Sequence, residues 1–365
     1  MTSSSTSTRA SVQQLRDDVA AICLPRGRMV GSPGHQKACQ YLAGRLEEIG
    51  CVPFAGDSFE LPYQSQGVSF CNLAGVIPGR KRRLAPLLVG AHYDSVIPAP
   101  CADDNAAAVA IALAVGTWAA EQGGLDRDLI VAIFDAEEPP YFHTPSMGSE
   151  RFWHDQREGR SIHAAIIMDL VGHDVSIHSS MLGAIPRVGG LLSKLPGLGD
   201  RDIPIPMLHS LLFVTGTESH PGMREVLANA GVTDGLKLVP TLNSYIDDMS
   251  DHGVFRRNGV PYFFLSCGHW VHYHQPTDTP DRLNYKKMER ITRQTCDLFA
   301  GLDTQPLKRS GGQERVCDTL ELEIECMRRS FGPLWSVLLK RAGLTDIESR
   351  EEMDQMVDSL LRTGL

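Results

Sequence analysis

The chain lacks the marks of an exported protein. Its first residues, MTSSSTSTRASVQQLRDD, are polar and carry neither a basic start nor an apolar core, so no secretory leader is expected. A run long enough to cross a bilayer is also missing. The longest apolar stretch, Ala106 to Ala120, is mostly alanine and holds Gly116 and Thr117, which reads as a buried helix. Short Cys-x-x-Cys spacings are absent. The nine cysteines are odd in number and scattered, which argues against a zinc knuckle or disulfide framework and predicts reduced thiols in the cytoplasm. Nor is there an excess of positive charge. A formal net charge of −9 argues against nucleic acid or an anionic membrane as partner. No internal repeat is visible.

What is present suffices for a large core, since 42% of the 365 residues are hydrophobic. Lys37 to Gly50 forms an amphipathic helix with Tyr41, Leu42, Leu46 and Ile49 on one face and Gly50 as C-cap. Short apolar runs bounded by turns recur at Asn72–Pro78, Leu87–His92, Leu129–Asp135, Ala165–Asp169, Leu211–Thr215 and Tyr262–Leu265. Several are apolar at every position, as strands covered on both faces must be. Helical stretches fall between them at Ala106–Glu121, after Gly148 and at Gly222–Ala230. The alternation predicts a three-layer α/β/α sandwich with a mixed, largely parallel central sheet. Residues 1–10 are expected to be disordered, 11–305 to form the main domain and 306–365 a helical extension. The Gly- and Pro-rich segment 186–206 is expected to loop over one end of the sheet, and LKRSGGQ (residues 307–313) to link domain and extension.

Five strand ends or loops carry acidic or imidazole side chains. In Gly90-Ala91-His92-Tyr93-Asp94, His92 can ligate a metal, and Asp94 is placed to fix its tautomer; a structural histidine has the same local pattern. Ala102-Asp103-Asp104-Asn105 precedes the alanine-rich helix, where an Asp or Asn could equally be an N-cap. Phe134-Asp135-Ala136-Glu137-Glu138 sets adjacent carboxylates at a strand end, which is costly without a cation. If one Glu binds a metal, its neighbour can act as general base; an ordinary solvated turn is the alternative. Ile166-Ile167-Met168-Asp169 ends in a carboxylate that could also cap a turn. Trp270 to Thr279, with His272, Tyr273 and His274, follows the last strand. Together these groups sit where open α/β sheets collect function, at the carboxyl ends of strands. A donor set of imidazole and carboxylate without cysteine suits zinc and related divalent ions.

These motifs, in this order, resemble metallopeptidase family 28, the zinc exopeptidases related to bacterial leucyl aminopeptidases and glutamate carboxypeptidases. The resemblance runs from about Val12 to Leu302 and includes Arg28-Met29-Val30-Gly31-Ser32-Pro33-Gly34 and Ser250-Asp251-His252. It implies the zinc-exopeptidase fold and two zinc ions bridged by Asp104. His92 and Asp169 complete one site; Glu138 and His274 complete the other. Glu137 becomes the general base and Tyr273 an oxyanion donor. Asp94 backs His92, and Asp251 belongs to the surrounding carboxylates. His252 and His272 have no ligand role in the pattern. The implied activity is hydrolysis of the N-terminal bond of a peptide substrate.

One departure is the long segment 139–147 between Glu138 and Gly148, which is expected to line the substrate pocket. A similar insertion marks glutaminyl cyclases, which share the fold and use one zinc. His92-Tyr93-Asp94-Ser95, Asp169-Leu170-Val171-Gly172 and Phe255-Arg256-Arg257-Asn258-Gly259-Val260-Pro261 also resemble that branch. Against it, His143 and Tyr273 stand where the cyclases carry pocket tryptophans. A ligand-binding protein without activity is a third reading, opposed by the complete set of ligands and Glu137. The tail beyond Gly311, with Leu320, Ile324, Met327, Leu334, Leu338, Met356 and Leu360 as apolar positions, is expected to be a helical hairpin on the domain or a homodimer contact.

Overall fold

A strand that is apolar at every position must be covered on both faces, and the two central strands show how. The computed structural model describes residues 11–178, 202–203, 206–307 and 317–361. Its strands are β1 (Val52–Pro53), β2 (Glu60–Ser65), β3 (Val68–Ile77), β4 (Leu87–His92), β5 (Leu129–Phe134), β6 (Ala164–Met168), β7 (Ile177–His178), β8 (Asp202–Ile203), β9 (Leu211–Thr215), β10 (Lys237–Thr241) and β11 (Tyr262–Ser266). Nine of them form one mixed sheet in the order β1-β3-β5-β4-β6-β11-β9-β10, with β2 paired to β3. The central strands β5, β4, β6 and β11 run parallel. Antiparallel pairs join β3 to β5 and β9 to β11.

The helices are α1 (Val12–Ile22), α2 (Pro33–Ile49), α3 (Ala107–Glu121), α4 (Gly148–Arg151), α5 (Pro221–Asn229), α6 (His252–Arg257), α7 (Tyr285–Thr304), α8 (Leu320–Phe331), α9 (Leu334–Ala342) and α10 (Arg350–Leu361). Leu87, Val89 and Ala91 of β4 join a core with residues of α1, α2, α3 and α7; Leu88, Ile130 and Phe134 face Phe152, Trp153 and Phe255 on the other side. Period-two alternation therefore feeds both layers. In α2, Ser32 caps the start by accepting from His35 N, and Gly50 closes the end at φ 87°, a conformation that favours glycine. Full burial of Leu42 and Leu46 contributes about 1.5–3 kcal/mol each.

The extension lies against the sheet edge. Its helix α8 runs beside β10, where Ser330 Oγ donates to Leu238 O at 2.9 Å. Trp335 is buried within the chain, whereas Val337 is exposed. The segment expected to be disordered (1–10), most of 186–206 and most of the 307–313 linker lie outside the described residues.

The parallel strands deliver their carboxyl ends to one edge of the sheet. Buried Arg28 braces the loop after β4: Nε donates to Tyr93 O (2.7 Å), Nη1 to Ile22 O (3.2 Å) and Pro100 O (2.6 Å), and Nη2 to Cys101 O (2.9 Å). Five guanidinium N–H groups in a rigid fork suit a cluster of inward-facing carbonyls that no regular ladder satisfies.

Candidate metal centre

His92 is the last residue of β4, Glu137 and Glu138 follow β5, Asp169 follows β6, and His274 lies in the loop after β11. Asp104 comes from the irregular turn Ala102–Ala106 ahead of α3, where its own φ/ψ of −111°, 83° breaks the helical path. The helix has no side-chain N-cap, so neither Asp103 nor Asp104 is used as one. All five side chains are at least 70% shielded, and His92 is fully buried.

Two triads result. His92, Asp104 and Asp169 converge on one point, and Asp104, Glu138 and His274 on another. Asp104 serves both through different oxygens: Oδ1 is 3.4 Å from His92 Nε2, and Oδ2 is 3.2 Å from His274 Nε2. His92 Nε2 is 3.6 Å from Asp169 Oδ2, and His274 Nε2 is 3.2 Å from Glu138 Oε2. Although close, His92 Nε2, His274 Nε2 and Asp104 Oδ2 make no hydrogen bond, and neither do Glu138 Oε1 and Asp169 Oδ1. Buried polar atoms left without partners are costly. Four ligands about 2.1 Å from a tetrahedral zinc ion lie about 3.4 Å from one another. The observed separations match that spacing, so the donor set fits a pair of divalent cations.

The electrostatics point the same way. Burial pushes Glu137 well above the carboxylate range, and Asp169, Asp251 and Glu138 push it further against the pull of His92. Burial, reinforced by Asp104, lifts Glu138 to about 8. Burial likewise lifts Asp251 to about 7, with His92 pulling it down. His274 rises to about 10, because Asp104 and Glu138 outweigh its burial. Four buried carboxylates, those of Glu137, Glu138, Asp169 and Asp251, are thus pushed toward the protonated form, and protons make up a charge deficit that cations would otherwise fill.

Asp94 sits beneath the ligands. Its Oδ1 accepts from Glu137 N and its Oδ2 from Glu138 N, both at 3.1 Å, and Oδ1 is 3.2 Å from His92 Nδ1. One carboxylate thereby holds the backbone of the two glutamates and lies beside the His92 imidazole, with which it makes no hydrogen bond. Glu137 Oε2 reaches within 3.7 Å of His92 Nε2. The Tyr273 ring stacks on His274 with centroids 3.8 Å apart. Burial and the carboxylates of Asp104, Asp169, Glu138 and Glu137 raise its phenol, which keeps the hydroxyl a donor. His252 stays apart, stacked on Phe264 in the opposite layer, and His272 bonds Thr277 Oγ1 at 2.8 Å.

Several supporting groups carry little signal in the sequence. Asp278 accepts from Asp103 N (2.9 Å) and Asp104 N (3.1 Å), and Ser250 Oγ donates to Asp169 Oδ2 (2.9 Å). Asp103 accepts from Gly172 N and from His173 Nδ1 (2.5 Å), tying the loop of Asp104 to that of Asp169. His35 donates to Asp135 Oδ1 at 2.8 Å and stacks on Tyr93. Asp278 lies within the turn-rich Gln275-Pro276-Thr277-Asp278-Thr279, and that is its one local hint.

The sequence pattern of peptidase family M28 matches residues 72–299, a span that carries all five candidate ligands. The chain belongs to peptidase family M28. Family M28 peptidases depend on metal, usually zinc, in keeping with the two triads. The uncharacterized protein YfbL of Escherichia coli (strain K12) is 28% identical over 220 residues, spanning 56% of this chain. The chain covers 63% of that relative's length, less than two thirds. The Legionella pneumophila LapA aminopeptidase shares the fold with a TM-score of 0.60 at 14% identity, over 82% of this chain and 72% of that one. A glutaminyl cyclase of Bacteroides thetaiotaomicron does so with a TM-score of 0.53 at 15% identity, over 80% and 97%. Solved structures named for an aminopeptidase and for a glutaminyl cyclase thus both share this chain's fold. Among the described residues, no helix is long and apolar enough to cross a membrane.

Proposed function

We propose that this chain is a zinc-dependent aminopeptidase that removes the N-terminal residue of peptides, with Glu137 as general base. The observation that carries the reading is the pair of triads sharing Asp104. Cations held by His92, Asp104, Asp169, Glu138 and His274 would supply Lewis acidity and lower the pKa of water. Glu137, buried and with Oε2 3.7 Å from His92 Nε2, accepts a proton from the attacking water at its carboxylate and returns one to the leaving amine. The Tyr273 hydroxyl donates to the developing oxyanion. Asp94 keeps Glu137 aimed by binding its backbone N–H. The surplus of buried carboxylates favours a substrate that brings a cationic amine, hence an unblocked N-terminus.

The glutaminyl-cyclase reading needs one occupied triad only, and because the segments of His92 and Asp169 resemble that branch as well, the number of ions bound separates the two readings. Hydrolysis of aminoacyl-p-nitroanilides by the wild-type protein and by Glu137→Gln, with metal counted in both, tests the proposal. Release that disappears in the variant while two ions remain supports it. One ion per chain with cyclisation of glutaminyl peptides would replace it with the cyclase.

A further inference from the structure

The family match ends at residue 299, yet the chain beyond it reaches back toward the metal centre through the segment from Leu242 to Ser250. Two ties hold the near end of that segment. Tyr245 OH donates to Asp354 Oδ1 of α10 at 2.6 Å and accepts from Arg350 Nη1 at 3.3 Å. Arg350 is itself fixed by a bidentate pair with the fully buried Glu323 of α8, at 2.9 and 2.8 Å. The second tie passes through Glu218, whose carbonyl accepts from Cys317 N (2.8 Å) as the chain approaches α8, and whose Oε1 accepts from Asn243 N (2.7 Å).

The far end of the same segment touches the centre. Ser250 Oγ donates to the candidate ligand Asp169, and Asp248 O accepts from His143 Nε2 of the 139–147 segment at 2.6 Å. Between these ends, Asn243 Oδ1 accepts from Tyr262 OH at 2.8 Å, and Asp247 N donates to Asn243 O at 2.7 Å. The segment is thus a short, internally bonded strap gripped by the extension at one end and bearing on Asp169 and His143 at the other.

We propose that the C-terminal extension is a positioning element for the metal centre, acting through Tyr245 on Ser250 and Asp169. The inference rests on the metal reading of Asp169. Residues that orient ligands from outside typically change metal affinity by tens-fold when removed. Tyr245 acts at one further remove, so its effect belongs at or below the low end of that range. Tyr245 is a positioning residue, because its hydroxyl bonds the extension and none of the ligands.

The test measures zinc affinity by competition with a chelating indicator, alongside thermal unfolding, in the full chain. Tyr245→Phe and Asp354→Ala should each weaken one of the two sites about three- to tenfold. Their combination should add little, as expected for one shared bond. Ser250→Ala should weaken the same site. Leu339→Ala, which removes buried packing from α9 but leaves the Tyr245 bonds, should lower the unfolding temperature without moving zinc affinity. Zinc affinity within twofold of wild type in both Tyr245→Phe and Asp354→Ala would overturn the inference alone. An equal loss in Leu339→Ala would also overturn it, because general loosening would then be the cause. A wild-type chain that takes up no ion would remove the metal reading and this inference together.

Discussion

Replacing Arg28 by methionine keeps most of the buried stem and removes four hydrogen bonds from the carbonyls of Ile22, Tyr93, Pro100 and Cys101. A hydrogen bond to a charged group is worth about 1.5–3 kcal/mol, and a buried carbonyl left unsatisfied costs about 1–3 kcal/mol. Four such losses would exceed 4 kcal/mol if they simply added. Some of these carbonyls will regain water as the loop relaxes, and losses above about 5 kcal/mol are exceptional for one substitution. The expected destabilisation is therefore about 4 kcal/mol. Arg28→Lys keeps the charge but brings three donors on a single nitrogen, which cannot span four separated carbonyls; about 2 kcal/mol is expected. Urea unfolding with chelator present reads both values free of metal linkage. Tyr93 and Cys101 flank the approaches to His92 and Asp104, so the methionine variant should also bind zinc more weakly. A destabilisation below about 1 kcal/mol would refute the bracing role.

Other consequences are equally open to measurement. Asp104→Ala should abolish uptake of both ions, whereas Asp169→Ala should leave the site of Glu138 and His274 loaded; an ion retained by Asp104→Ala would contradict a shared ligand. Burial holds His252 at about 4, so between pH 4 and 6.5 the unfolded chain binds the extra proton. Stability should rise with pH across that window by about 3 kcal/mol, and acid titration of unfolding in His252→Gln should lack that increment. A Cβ at Gly148 would lie 2.1 Å from Asp135 O and 2.4 Å from Asn72 Oδ1. Gly148→Ala should thus lose about 1–3 kcal/mol, and an unfolding midpoint equal to wild type would show that the backbone yields freely.

The chain announces its central strands because they alternate between two covered faces, and β4 and β9 fall where the apolar runs place them. Strand β10 was not visible: Lys237-Leu238-Val239-Pro240-Thr241 contains a proline that argues against a strand, and it is tolerated because β10 is the last strand of the sheet path. Strand β2, with Pro62, escaped for the same reason. The order of strands is a long-range property, and nothing local says that β11 inserts between β6 and β9. At the centre, residues that end strands could be read from their position. The roles of Arg28, His35 and Asp278 could not, even though Arg28 and Asp278 lie in segments the sequence singles out, because their partners lie far along the chain.

The candidate ligands arrive on loops after β4, β5, β6 and β11, with Asp104 between the first two. Such a centre has an order of completion. A growing chain that has displayed His92, Asp104, Glu138 and Asp169 still lacks His274, and β11, which carries the His274 loop, must dock beside β6 before the second triad closes. Long-range pairing of this kind forms late. On the proposed aminopeptidase reading, hydrolytic power is therefore withheld until nearly the whole family domain has been synthesised, so a half-made copy poses little hazard to other newborn peptides around it.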